Sequence, residues 1–490
     1  MPGMDRRKFI QLSLLASGAA FGVPRSLAGT GSLRLTLRPD KPGDSIPEDF
    51  TGLSYETAQL HNPTFFSAAN TQLAGFVRRL GASGVLRIGG NTSAYSVWTP
   101  KPSFGGHDPA DSLRDEVAGP DTGKQPAPRR AVTPLAIRNL RDFLDATGWR
   151  LIYGLNMGSE SPETAADEAE YVAKTMGSKL IALQLCNEPD LFYRNDLRAA
   201  DYGFEQFAVE WQRFFDAVRA RVPGAPFAGP DTAYNNEWLV PFAQRFKNDV
   251  LFLSQHYYAE GPPDDPSMTI ERLLSPNPRL QEEFEGMART HQETGLPFRM
   301  AETNSCYQGG KPSVSDTFAS ALWGADLMYQ LAAAGGTGIN FHGGGYGWYT
   351  PIAGTPKNGL LARPLYYGML LFAEAGPGTL VAADIDNAAA APLLTAYGLS
   401  TAGAAKAVLF NKNEDRDVVL TIDPGTPAMF ASVLRLYAPR VDDTADTTLG
   451  GAPVGAGGAW SPAIDETIKA RSGMVTVHLP KASGALVTFG

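Results

Sequence analysis

Between positions 50 and 344 the chain repeats one pattern eight times: a short, mostly apolar run, then a longer stretch in which apolar residues recur every three or four positions. The runs are FTGLSYE (50–56), GVLRIGG (84–90), LIYGLNM (151–157), LIALQLCNE (180–188), FAGPD (227–231), LFLSQHYY (251–258), FRMAETN (298–304) and GTGINFHGG (336–344). Each reads as a strand buried on both faces, and the stretches between read as helices. After Asp201, Phe204, Phe207, Ala208, Trp211, Phe214, Phe215 and Val218 share one helical face, and Pro223-Gly224 ends the helix. After Met157, Ser161 offers a cap, Pro162 fits the first turn and Gly177 closes the segment. Strand and helix alternating eight times predicts a parallel sheet, and the absence of a glycine-rich phosphate loop after the first strand favours a closed (β/α)8 barrel over an open sheet. The α/β class is therefore expected for residues 46–376.

Beyond 376 the texture changes to short alternating runs broken by Gly and Pro, among them AKAVLFNK, DVVLTIDPG and MVTVHLP. This predicts an antiparallel β-sandwich over 377–490, joined by residues 30–45, where SLRLTLRP also alternates. Ahead of it, Arg6, Arg7 and Lys8 precede an apolar stretch from Ile10 to Val23 and the small residues Ser26-Leu27-Ala28. That is the layout of an export signal of the twin-arginine type over 1–28, too short and too dilute to span a bilayer. An exported, periplasmic or secreted protein is expected, with no membrane attachment after cleavage.

Loss of that leader takes away four cations and one anion, moving the net charge from −9 to −12. Bulk attraction to nucleic acid or other polyanions is therefore not expected. The two cysteines, Cys186 and Cys306, form no disulfide framework and are expected as free thiols. The six histidines (61, 107, 256, 291, 342 and 478) never fall at ligand spacing, so neither a metal nor any other cofactor is predicted. A monomer is expected.

Barrels of this kind carry their chemistry at the carboxyl ends of the strands. Those ends hold Glu56, Arg87, Asn91, Asn156, Asn187, Glu188, Asp231, His256, Tyr257, Tyr258, Glu302, Asn304 and His342. Carboxylates, amides and tyrosines, with no thiol or serine beside a base, suit a sugar. The fourth and seventh strands face each other across the mouth, so Glu188 and Glu302 can reach one bond from opposite sides, the minimum equipment for glycoside hydrolysis. Glu188 fits the acid/base and Glu302 the nucleophile. Arg87, His256, Tyr257 and Tyr258 are candidate supports, Asn187 a candidate holder of the sugar 2-hydroxyl, and Glu56 and Asn91 further candidate substrate contacts.

The segments CNEPD and RMAETNSCYQGG resemble the catalytic segments of the retaining glycoside hydrolases of the heparanase and β-glucuronidase family, family 79 in the large clan of (β/α)8 glycosidases. The resemblance spans nearly the whole mature chain. It implies Glu188 as acid/base, Glu302 as nucleophile, and Tyr307, with Gly309 beside it, at the carboxylate of a hexuronate. It also implies a second carboxylate-binding stretch in HGGGYGWYTP (342–351), with His342, Gly347 and Tyr349 as candidates. A glycine-rich loop admits an anion close to its N–H groups, and tyrosines donate without adding charge.

Animal members act inside sulfated polymers and need basic flanks, which a net charge of −12 does not supply. The long connection from Thr99 to Pro134 belongs to the mouth face and is expected to wall the pocket and restrict the enzyme to chain ends. An exo-β-glucuronidase acting on terminal glucuronic acid or its 4-O-methyl form is the leading expectation. The alternatives are a clan-related β-glucosidase or xylosidase, an endo-acting heparanase-like hydrolase, and an inactive carbohydrate-binding protein.

Overall fold

The computed structural model describes residues 33–100, 130–233, 236–401 and 404–490. The proposed leader and residues 101–129 of the Thr99–Pro134 connection lie outside the described residues. Among the described residues no helix is long and apolar enough to cross a membrane.

Strand β1 (Leu33–Ile46) precedes the barrel. The barrel strands are β2 (Thr51–Glu56), β3 (Val85–Gly89), β6 (Arg150–Gly154), β7 (Leu180–Gln184), β8 (Phe227–Thr232), β9 (Phe252–Glu260), β10 (Phe298–Cys306) and β11 (Ile339–Gly343), parallel throughout and closed by the pairing of β11 with β2. The helices that follow them are α1 (Thr71–Arg79), α2 (Pro134–Thr147), α3 (Pro162–Met176), α4 (Phe204–Arg221), α5 (Asn236–Phe246), α6 (Pro278–Thr294), α7 (Phe318–Ala333) and α8 (Pro364–Ala375). Ser161 caps α3 by accepting from Thr164 N–H, with Pro162 in the first turn. The aromatic face of α4 is core: Phe207 and Trp211 pack on Phe242 of α5, and Trp211 also meets Phe246 and Phe227. Two short pairings escaped the pattern: β4 (Ser96–Trp98) with β5 (Arg130–Val132), and the hairpin β12 (Ile352–Thr355) with β13 (Gly359–Ala362).

The remaining strands are β14 (Gly378–Ile385), β15 (Leu394–Thr401), β16 (Ala404–Asn411), β17 (Val418–Asp423), β18 (Phe430–Tyr437), β19 (Thr448–Leu449), β20 (Glu466–Lys469), β21 (Val475–Leu479) and β22 (Ser483–Phe489). With β1 they form one ladder, β19-β18-β22-β16-β15-β14-β1-β17-β21, in which β20 adds to β18. It encloses its own core of Leu35, Leu37, Leu409, Leu420, Ile422, Val433, Val477 and Val487. The expected antiparallel order needs one correction, because β1 runs antiparallel to β14 but parallel to β17. The sheet is fastened to the barrel at Asp326 of α7, which accepts from Lys412 Nζ (2.5 Å), Thr395 Oγ1 and Tyr397 OH.

The strand ends also differ from expectation. The β7 ladder stops at Gln184, four residues short of Glu188, whereas β10 runs four residues past Glu302. Arg87 lies inside β3, two residues before its end.

Candidate active site

At the mouth of the barrel, side chains from β2, β7, β8, β9 and β10, with Asn187 just past β7, converge on the guanidinium of Arg87 on β3. Arg87 is fully buried: its Nε donates to Gln184 (3.0 Å), Nη1 to Ser54 (3.2 Å) and to Glu302, and Nη2 to Asn187 (2.7 Å) and Asp231 (2.6 Å). Such a fork suits a planar, permanently charged group with fixed donors, which a lysine could not replace. Gly89 makes room for it, since a Cβ there would lie 2.6 Å from the guanidinium carbon.

Glu302 accepts from Arg87 on one oxygen and from Tyr258 OH (2.7 Å) on the other, and His342 Nδ1 stands 3.5 Å away. Burial alone would raise its pKa. His342, His256, Arg87 and the tyrosine hydrogen bond outweigh that and hold the carboxyl well below its usual range.

Glu188 is presented differently. It sits beyond the ladder in the left-handed region (φ 45°, ψ 54°), its N–H bonded to Asp231 O (2.9 Å) and its carbonyl accepting from Leu191 N–H (2.9 Å). Its Oε1 lies 3.0 Å from His256 Nδ1. The other ring nitrogen, Nε2, lies 3.2 Å from Asp231 Oδ1. Burial would lower the histidine pKa, but Asp231 and Glu302 overcome it and push the imidazole up to about 10.

Strand parity sorts the β9 candidates. His256 and Tyr258 point into the barrel, whereas Tyr257 between them points out, into the apolar layer and toward Glu283 of α6. The structure therefore removes Tyr257 from the site.

Asn187 comes to the centre, held by Arg87 and donating to Asn91 Oδ1 (3.1 Å). Glu56 serves the loop after β3: it accepts from Asn91 N–H (3.2 Å), Thr92 N–H (2.8 Å) and Thr92 Oγ1 (2.5 Å), with His342 Nε2 at 3.5 Å. Its carboxylate is thus largely occupied, against the expectation of a substrate contact. Tyr307 and Tyr349 come to the side of Glu302, their rings 6.4 and 6.2 Å from that of Tyr258. The Gly309 carbonyl accepts from Trp348 N–H (2.6 Å), which ties the loops after β10 and β11 together. Asn304 braces the same place, donating to His342 O and Tyr349 O. The Gly347 carbonyl turns to Arg363 (2.7 Å). Both cysteines are free and buried.

Asp231, Gln184 and Ser54 were not singled out as site residues, yet they bind Arg87 directly. Only Asp231 carried a signal, its place at a strand end. A serine and a glutamine inside apolar runs reveal themselves only once the strands close. Among the described residues, Glu188, His256 and Glu302 bring one potential metal-ligand atom each within 4.8 Å of one another. The Arg87 guanidinium bonded to Glu302 makes a cation costly there, and the donor set reads as an ion-pair network.

Residues 136–329 match the model of glycosyl hydrolase family 79, N-terminal domain. A β-glucuronidase of Aspergillus niger is 23% identical over 371 residues, 68% of this chain and 66% of that protein. One from Neurospora crassa is 24% identical over 328 residues, 60% of this chain and 56% of that protein. The chain thus spans just under two thirds of the first relative and a little over half of the second. Among solved structures, a 4-O-α-L-rhamnosyl-β-D-glucuronidase from Fusarium oxysporum 12S aligns over 94% of this chain and all of its own, with a TM-score of 0.73 at 16% identity. A family 51 arabinofuranosidase from Xanthomonas axonopodis pv. citri aligns over the same share with a TM-score of 0.67 at 15% identity. At such identities the likeness is one of fold, a (β/α)8 barrel with an attached β-sheet domain. The family match over residues 136–329, the two relatives and the shared architecture together support a glycoside hydrolase similar to those of family 79.

Proposed function

We propose that the protein is a retaining, exo-acting β-glucuronidase. The observation that carries the mechanism is the closeness of the two carboxylates: Glu188 and Glu302 offer oxygens within 4.8 Å of each other. Retaining glycosidases keep their carboxyl groups about 5–5.5 Å apart, and inverting ones about 6.5–9.5 Å to admit a water. Glu302, held ionised by Arg87, Tyr258 and His342, attacks C1 while Glu188 protonates the leaving oxygen. Water, activated by Glu188, then releases the sugar from Glu302.

The glucuronide reading draws on the family, on the two β-glucuronidase relatives and on the tyrosines around Tyr258. Tyr307 and Tyr349, on loops tied together through Gly309, are the proposed contacts of the hexuronate carboxylate. The exo reading draws on the long Thr99–Pro134 connection of the sequence, of which residues 101–129 lie outside the described residues. Export is proposed from the paired-arginine leader.

The test is a panel of aryl β-glycosides. The glucuronide is expected to turn over about 10²-fold or more faster than the glucoside and xyloside, because a site built to bind a polar group discriminates strongly against its absence. The β-anomer is expected as first product in NMR. Equal rates across the panel would overturn the glucuronide assignment, and an α-anomer the retaining one.

A further inference from the structure

His256 is placed for more than packing. It is completely buried, with Nδ1 3.0 Å from Glu188 Oε1 and Nε2 3.2 Å from Asp231 Oδ1. A carboxylate only accepts hydrogen bonds, and a neutral imidazole donates from one nitrogen and accepts at the other. Two arrangements satisfy both contacts: an imidazolium between two carboxylates, or a neutral ring that donates from Nε2 to Asp231 and accepts at Nδ1 from a protonated Glu188. In either, Nε2 carries a hydrogen held by Asp231, and one proton lies between Nδ1 and Oε1.

Asp231 is itself fixed. It accepts from Arg87 Nη2 (2.6 Å) and Gln184 Nε2 (2.5 Å), and its backbone sits in the left-handed region at φ 62°. The charged groups facing the ring come from four elements: Asp231 on β8, Glu188 after β7, Glu302 on β10 (Oε1 to Nδ1 3.9 Å) and Arg87 on β3 (Nη2 to Nε2 3.5 Å). Asp190 after β7 and Glu283 on α6 also act on it electrostatically. Carboxylates dominate this surrounding, which favours the protonated ring.

We propose that Glu188 and His256 hold one proton between them and work as a joint acid/base, with Asp231 as the positioning residue that fixes the ring. In the first step that proton passes through Glu188 to the glycosidic oxygen as the bond from C1 to that oxygen breaks and C1 bonds to Glu302. In the second, water adds to C1, the bond to Glu302 breaks, and the proton released by water returns to the pair. Between the steps the bridge is empty, and the Nδ1 lone pair then faces the Glu188 carboxylate. That repulsion makes the pair a better base for water when a base is needed. Over one turnover one proton leaves and one returns.

This rests on the glycosidase reading, and on the glucuronide only for the choice of substrate. The test is His256→Asn, which can keep an N–H toward Glu188 and cannot hold the extra proton. Loss in kcat/KM is expected to reach about 10²-fold with poor leaving groups, to stay under about tenfold with activated aryl groups, and to come with a displaced pH profile. Asp231→Asn is expected to shift the profile in the same direction by less. Equal losses for both leaving groups, with the wild-type pH profile retained, would show a purely structural histidine and overturn the proposal. If the wild type prefers another glycoside of the panel, the same comparison runs on that substrate, and only the glucuronide assignment falls.

A substrate-free measurement guards against misfolded variants. In 15N-histidine spectra, the His256 ring is expected to keep its Nε2 hydrogen from about pH 5 to 9 and to change at Nδ1 in Glu188→Ala. A ring with bare Nε2, or one blind to Glu188→Ala, would overturn the proposal.

Discussion

The two carboxylates of the site are held in opposite ways. Glu302 stands within the paired part of β10, just past a register shift after Met300, with donors on both oxygens, a fixed guanidinium and a tyrosine, so its charge is settled before substrate arrives. Glu188 lies past the end of its ladder in a conformation that costs a non-glycine residue roughly 1–3 kcal/mol, held by the Asp231 and Leu191 backbone bonds, and its side chain meets one titratable partner. A nucleophile must stay ionised, and an acid/base must gain and lose a proton within each turnover. Under the proposed mechanism the geometry suits that division: permanent donors on Glu302, a titratable imidazole beside Glu188. Arg87 joins the two, with Nη1 on Glu302 and Nη2 on Asn187 and Asp231.

The largest expected effect separates the two carboxylates. Glu302→Ala should lower kcat by more than about 10⁴-fold whatever the leaving group, since no intermediate can form. Glu188→Ala should lose about 10²–10⁴-fold on poor leaving groups and far less on activated ones, which depart without a proton. Single-turnover rates on two aryl glycosides check both, and equal losses in Glu188→Ala would erase the asymmetry.

Arg87→Lys should damage both sides at once. A lysine cannot span Glu302, Asp231 and Asn187, and leaving buried carboxylates without their partner costs about 3–5 kcal/mol. Chemical denaturation should show that loss, together with a collapse of activity. A variant of wild-type stability would mean that the network is far less dry than its burial implies.

The asymmetry should also appear in stability against pH. On the side of Glu188, folded pKa values are raised: Asp190 from 3.8 to about 7 by burial, against a hydrogen bond from Ala233, and His256 from 6.5 to about 10, where Asp231 and Glu302 overcome burial. Behind β6, Glu168 moves from 4.5 to about 8 by burial, against the Tyr153 hydroxyl. Each contributes stability that is whole below its ordinary value and lost as pH rises through the folded one. Glu302 and Asp231 run the other way: burial opposes but is outweighed, their pKa values are lowered, and their contribution is lost only as pH falls through those lowered values. Tm should therefore peak near about pH 4–5 and decline toward pH 10. Thermal melts across that range check it; His256→Asn should flatten the decline above pH 6.5, and a maximum at pH 8 would contradict the assignment.

Much of this was readable from the chain because buried parallel strands are near-continuous apolar runs and their polar ends stand out against them. LQLCNEPD and FRMAETN announced Glu188 and Glu302 in that way. Where each ladder ends was not readable: Leu185 and Cys186 look like strand but lie past the last pairing of β7, because the chain must turn there to present Glu188. Nor was the network under Arg87, since Ser54, Gln184 and Asp231 come from three strands and meet only when the barrel closes. The β1–β17 pairing was hidden for the same reason, as alternation marks a strand without naming its neighbour.

The smallest expected effect is the sharpest check on how the nucleophile's side was assigned, because it compares adjacent tyrosines. Tyr258 donates to Glu302 at 2.7 Å, and Tyr258→Phe removes a bond to a charged group worth about 1.5–3 kcal/mol, or roughly 10- to 10²-fold in rate. Tyr257 is more deeply buried than Tyr258, but its hydroxyl faces away from the cavity and has no partner among the described residues. Removing a buried, unpaired hydroxyl relieves its desolvation, so Tyr257→Phe should leave kcat and KM within about twofold and leave stability unchanged or raised by up to about 1 kcal/mol. Initial rates and melts on the two variants decide it. If Tyr257→Phe instead cost activity as Tyr258→Phe does, β9 would have to be shifted by one residue, and His256 would leave the site with it, since parity moves the whole strand together.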